Sequence, residues 1–82
     1  MRTIKQLLEL MLSHQDLFGT GLCRWVLTLH EDNFISTDEY YFFTKYIKDH
    51  KPLYTVGIYY WKRCEIAPRI KWINTQIENL KN

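Results

Sequence analysis

Apolar side chains recur at helical spacing in four stretches of the chain, with polar or turn-forming residues between them. In the first stretch Ile4, Leu7, Leu8, Met11 and Leu12 line one face, which predicts a helix from about Ile4 to Gln15. Thr3 and Gln6 stand at the spacing of a capping box, in which each side chain accepts a bond from the other's backbone N–H. Residues 16–21 read as a turn, with Gly19 and Gly21 supplying backbone freedom. Leu22, Trp25, Val26 and Leu29 mark a second helix that fades near Asn33. Ser36 and Glu39 repeat the capping box. Tyr40, Phe43, Tyr46 and Ile47 then give a third helix its stripe, and Pro52 ends it after His50 and Lys51. Ile70, Ile73, Ile77 and Leu80 define a last helix, with Pro68 in its first turn.

The stretch from Leu53 to Glu65 breaks this rhythm. Tyr, Val and Ile are enriched there and Gly57 sits in the middle, which favours a short extended pair or an ordered loop over helix. The expected fold is therefore mainly α. It is a compact bundle of about four helices with a short extended aromatic segment between helices three and four, forming a single domain over residues 1–82. Internal repeats and low-complexity segments are absent from the sequence.

Composition adds one pressure to this picture. Hydrophobic residues make up 46% of the chain and aromatics 16%, which excludes disorder. A chain of 82 residues buries somewhat over ~60% of its unfolded surface, so its core is thin for that many large side chains. The surplus implies a self-association surface, a partner surface or a ligand pocket, and a homo-oligomer is expected. A formal charge of +2 is too small for a typical nucleic-acid binder. The charge is uneven, however. Glu31, Asp32, Asp38 and Glu39 crowd one segment, while Lys62, Arg63, Arg69 and Lys71 crowd another. That polarity fits a local anion site better than a long phosphate track.

The N-terminal apolar run is interrupted by Glu9 and His14 and makes a poor signal peptide. No stretch approaches the ~20 apolar residues of a membrane span. Cys23 and Cys64 lack a C-x-x-C partner, so a cytosolic protein with reduced thiols is expected. His14, His30 and His50 have no second ligand at i+3 or i+4, and neither a metal nor a cofactor is expected. Serine is scarce, Ser36 is already used as a cap, and Cys23 looks buried. The expectation is a protein that is not an enzyme. Helices two and three have the outline of a helix-turn-helix, but the second is acidic at its start and aromatic through its middle, which argues against groove reading.

The candidate chemistry lies in residues 54–72. Tyr54, Tyr59, Tyr60, Trp61 and Trp72 are interleaved with Lys62, Arg63, Arg69 and Lys71, and Glu65 is the only acid. Flat π faces beside fixed positive charge suit a nucleotide, a nucleic-acid strand or an acidic protein surface. Trp72 falls off the Ile70/Ile73/Ile77/Leu80 stripe, on a face with Arg69 and Gln76, and so is open to stacking. The competing reading has Trp72 cover the helix end or pack against a second subunit. Arg69, near the start of the last helix, would reinforce an anion site there. Arg24 points away from the core-facing Trp25, towards a shared charged site or plain solvent.

The segments GLCRWVLTL, FISTDEYYFFTKYI, YYW and PRIKWINTQI together resemble a group of small bacteriophage proteins. Those proteins share a Gly-Leu-Cys helix start, an Ile-Ser-x-x-Glu helix cap, a Tyr-Trp pair and a closing Pro-Arg helix. Here the motifs fall on Gly21–Cys23, Phe34–Glu39, Tyr60–Trp61 and Pro68–Arg69. Phe34 stands where the pattern has Gly-Leu. The resemblance brings no catalytic residues. It implies a phage accessory protein of the counter-defence kind, acting in the host cytoplasm.

Two jobs suit such a protein: trapping a nucleotide immune signal, or covering a host protein. A trap must bind at nanomolar level, about −12 kcal/mol. One base–aromatic stack contributes ~1–3 kcal/mol and one charged hydrogen bond ~1.5–3 kcal/mol, so a pocket shared by two subunits is needed. The first expectation is a homo-oligomer that sequesters a nucleotide-derived signal through Trp61, Arg63, Arg69 and Trp72, supported by Arg24 and Tyr60. The second is a protein–protein inhibitor using the same surface, and the third a weak nucleic-acid binder.

Overall fold

The computed structural model describes residues 1–17, 22–50 and 66–80. Four α-helices and one 3₁₀ turn account for most of them. The helices are α1 (Ile4–Ser13), α2 (Leu22–Glu31), α3 (Thr37–His50) and α4 (Ile66–Leu80), and the 3₁₀ turn is Gln15–Leu17. The protein is a mainly-α bundle, as its periodicity predicts. The expected extended aromatic segment at 53–65 lies outside the described residues.

Both capping boxes form. Gln6 N–H donates to Thr3 Oγ1 (3.1 Å) and Thr3 N–H to Gln6 Oε1 (2.9 Å). At α3, Glu39 N–H donates to Ser36 Oγ (3.1 Å) and Ser36 N–H to Glu39 Oε1 (2.9 Å). Each box satisfies two N–H groups that a helix start otherwise leaves orphaned. Pro68 falls in the first turn of α4, where its missing N–H costs nothing.

Helix ends are set by side chains as well as by turn residues. α1 stops at Ser13 rather than running to Gln15. The Ser13 hydroxyl donates back to the Leu10 carbonyl (2.8 Å), and the chain tightens into the 3₁₀ turn as Leu17 N–H donates to His14 O (3.0 Å). Trp25 Nε1–H also donates to the His14 carbonyl, at 3.0 Å, fastening the end of α1 to α2. α2 ends in a Schellman motif. Asn33 takes the left-handed conformation (φ 65°), Phe34 N–H donates to Leu29 O (2.9 Å) and Asn33 N–H to His30 O (3.0 Å).

The most extensive helix–helix contacts pair α1 with α4 and α2 with α3. One core joins the two pairs: Leu7, Leu8 and Met11 from α1, Leu22, Trp25, Val26 and Leu29 from α2, Ile35, Phe43 and Ile47, and Trp72 and Ile73 from α4. The apolar stripes read for α1, α2 and α3 face this core. α4 is rotated from its expected register. Its buried face is Arg69, Trp72, Ile73 and Gln76, with Ile70 and Ile77 at the flanks and Leu80 exposed. A tryptophan offers the core far more apolar area than an isoleucine, and an arginine stem is itself apolar, so this turn of the helix buries more.

Candidate functional site

Of the residues expected to form a ligand site, Arg24, Arg69 and Trp72 are among the described residues. Tyr60, Trp61 and Arg63 lie outside the described residues. Arg69 is 0% exposed and Trp72 9%, so both face inward among the residues that hold α4 to the bundle. That burial leaves them no open helix face for stacking or phosphate clamping, and Trp72 packs into the chain's own core rather than over the helix end or against a second subunit. Arg24 is exposed on α2, and its Nη2 sits 3.8 Å from Glu31 Oε1, a loose pair between two half-exposed side chains that adds little to stability. Among the described residues Arg24 therefore does not share a surface with Arg69 or Trp72.

Gln76 is buried beside them on α4 and accepts a hydrogen bond from the Tyr46 hydroxyl at 2.8 Å. This bond ties α3 to α4. Burial raises the Tyr46 pKa, keeping the phenol a donor. The Tyr46 ring stacks on His50 with centroids 4.0 Å apart. The bond to Gln76 fixes the rotation of α3 about its axis at this end.

A second fastening sets the same rotation at the other end of α3. Glu39 is 4% exposed and accepts from Arg2 as well as from Ser36. The Arg2 N–H donates to Oε2 (2.8 Å), and Arg2 Nη1 lies 2.9 Å from Oε1 and 3.1 Å from Oε2. The Ser36 N–H does most to hold the Glu39 carboxyl down at about 2; burial opposes it, and the Arg2 backbone and guanidinium add to it. An acid ionised this firmly is structural, since a proton donor or acceptor for chemistry near neutrality needs a pKa close to the working pH.

With Glu39, Phe43 and Ile47 turned inward, the opposite side of α3 carries the largest exposed aromatic surface among the described residues. Tyr41 is 67% exposed and Phe42 41%. Neither belongs to the apolar stripe Tyr40/Phe43/Tyr46/Ile47, so the spacing alone places them outward. Lys45 and Asp49 flank them and form an i,i+4 pair at 2.7 Å, whose hydrogen bond lowers the Asp49 pKa. Beside this face His30 Nε2 and Thr37 Oγ1 are 3.1 Å apart, and His30, Tyr40 and Tyr41 form a chain of ring contacts at 5.1 and 5.3 Å. The grooves lined wholly by described residues are open and shallow. One runs along α4 past Ile70, Lys71, Asn74 and Thr75; another surrounds Arg2, Ser36 and Glu39.

What this arrangement offers is a firm helix face with two projecting rings and charges of both signs, suited to contact with another surface. Among the described residues no three His, Cys, Asp or Glu side chains converge as a metal site would require, and no helix is long and apolar enough to cross a membrane. Comparison of the chain with family models, with curated protein sequences and with solved structures gave no match.

Proposed function

We propose that this chain is a non-catalytic protein-binding protein whose recognition surface is the outward face of α3. The observation that carries the reading is the exposure of Tyr41 and Phe42 on a helix locked in rotation by Glu39 at one end and Tyr46 at the other. Large exposed aromatics on a rigid element mark interfaces, because they bury much area at low entropic cost. The setting, a phage accessory protein in the host cytoplasm, rests on the resemblance of its motifs. The test is affinity capture from host lysate that also contains a differently tagged copy of the chain, comparing the wild type with Tyr41→Glu. At least one protein is expected to be retained by the wild type and lost by the variant. Identical captured sets would sink the reading.

Arg24 favours a second reading, sequestration of a nucleotide-derived signal. Its side chain is open to solvent and only loosely held by Glu31, so it is available to an anion. In this reading Tyr60, Trp61 and Arg63 do the stacking and clamping with Arg24 in support, and the buried Arg69 and Trp72 take no direct part. Calorimetry with cyclic dinucleotides and ADP-ribose derivatives tests it: heat at micromolar protein, reduced by Arg24→Ala, is expected, and its absence ends this reading.

A further inference from the structure

The outward arc of α3 is made of Asp38, Tyr41, Phe42, Lys45, Lys48 and Asp49, all exposed. At the ~100° per residue of an α-helix these six fall within about 120° of one another. Their charges sum to zero but are not mixed at random. Along the arc Asp38 comes first, Lys45 and Lys48 follow, and Asp49, paired within the helix to Lys45, closes it. A nucleic acid, or a protein surface of one sign, would meet repulsion along half of such an arc. A reversed copy of the same arc can set Asp38 against Lys48 at each end.

We propose that the protein bound by this face is a second copy of this chain, packed with the two α3 helices antiparallel about a two-fold axis. The inference rests on the protein-binding reading above and names its partner. In a two-fold contact, if residue i meets residue j then j meets i. An axis passing over position 43 sets Asp38 opposite the partner's Lys48 and Tyr41 opposite the partner's Lys45. Each arc then makes two ion pairs and two ring–ammonium contacts across the axis. The macrodipoles of the two helices oppose one another, which favours the antiparallel arrangement. A shallow crossing of ~20° keeps the helices in contact over the three turns between Asp38 and Lys48.

The contact is modest. Two partly exposed rings per copy and their charged flanks fall short of the 1,200–2,000 Å² or so of a standard interface, so the dimer forms with a dissociation constant on the order of 10 μM.

Sedimentation velocity on the full chain, from about 1 to about 300 μM, tests the proposal across that range. A monomer–dimer equilibrium is expected for the wild type. Tyr41→Glu is expected to be monomeric throughout, with an unchanged thermal midpoint because its side chain points to solvent. Asp38→Lys and Lys48→Asp should each weaken the dimer about tenfold or more, by setting like charges opposite one another. The double variant carries both reversals and should return to within a few-fold of wild type. A wild type that is monomeric at every concentration overturns the proposal, as does a dimer indifferent to Tyr41→Glu. Single reversals that weaken the dimer without rescue in the double variant overturn the antiparallel register. If the chain is monomeric and lysate capture still yields a different protein lost in Tyr41→Glu, this inference fails and the protein-binding reading stands.

Discussion

Glu39 caps its own helix and anchors the N-terminal residues through Arg2. Its carboxyl sits at about 2 in the folded chain against an ordinary 4.5. A lowered acid pKa adds stability that is fully present above the unfolded value and lost as pH falls towards the folded one. Urea unfolding between pH 7 and pH 2 should therefore show stability eroding below about pH 4.5. Glu39→Gln retains an acceptor for the cap but loses the charge, and should cost ~1–2 kcal/mol at neutral pH and flatten that acid slope. An unchanged slope would mean other carboxylates dominate. The capping half of this arrangement was legible, since Ser36 and Glu39 are three apart. The Arg2 half was not, because nothing local ties residues 37 positions apart. Asn33 is a milder case. Its φ of 65° suits asparagine and glycine but crowds a β-branched side chain. Asn33→Val should cost about 1–2 kcal/mol in thermal unfolding, and Asn33→Gly should be close to neutral.

At the level of elements, periodicity located all four helices because each has an unbroken apolar stripe. It misjudged the rotation of α4. Ile70, Ile73, Ile77 and Leu80 make the tidier stripe, yet Trp72 and Arg69 are the side chains buried. A stripe counts positions, whereas burial follows area and the shape of the opposing surface. The core that α1 offers α4 is not written within α4 itself. For α3 the reverse holds. The stripe that identifies its core side also places Tyr41 and Phe42 outside it, and the outward aromatics were readable from that spacing. The link between the two helices can be tested at Tyr46. Tyr46→Phe removes the bond to Gln76 and leaves the ring in place, which should cost about 1 kcal/mol. Burial raises the Tyr46 pKa, so its contribution is intact below pH 10 and lost as pH climbs beyond that. The variant should lack this share of the alkaline loss when unfolding is followed from pH 8 to pH 11.

For the whole molecule, the decisive question is whether α4 is held by its tryptophan or merely displays it. At typical values per residue, 82 folded residues carry a total stability of about 4–12 kcal/mol. Removing a buried tryptophan costs ~3–5 kcal/mol, and removing one from an exposed ligand face stays within about 0.5 kcal/mol. Trp72 belongs to the single core that links the α1–α4 pair to the α2–α3 pair, so its loss should be felt by all four helices together. Trp72→Ala is expected to lower the thermal midpoint by more than 10 °C, in one transition whether followed by far-ultraviolet dichroism or by the fluorescence of Trp25 and Trp61. Tyr41→Glu, on the outward face of α3, should leave the midpoint where it is. If Trp72→Ala were as stable as wild type, α4 would be displaying its tryptophan, and the ligand-stacking role would return with it. If the two probes gave separate transitions, the helix pairs would be separate units and the shared core would contribute less than its burial implies.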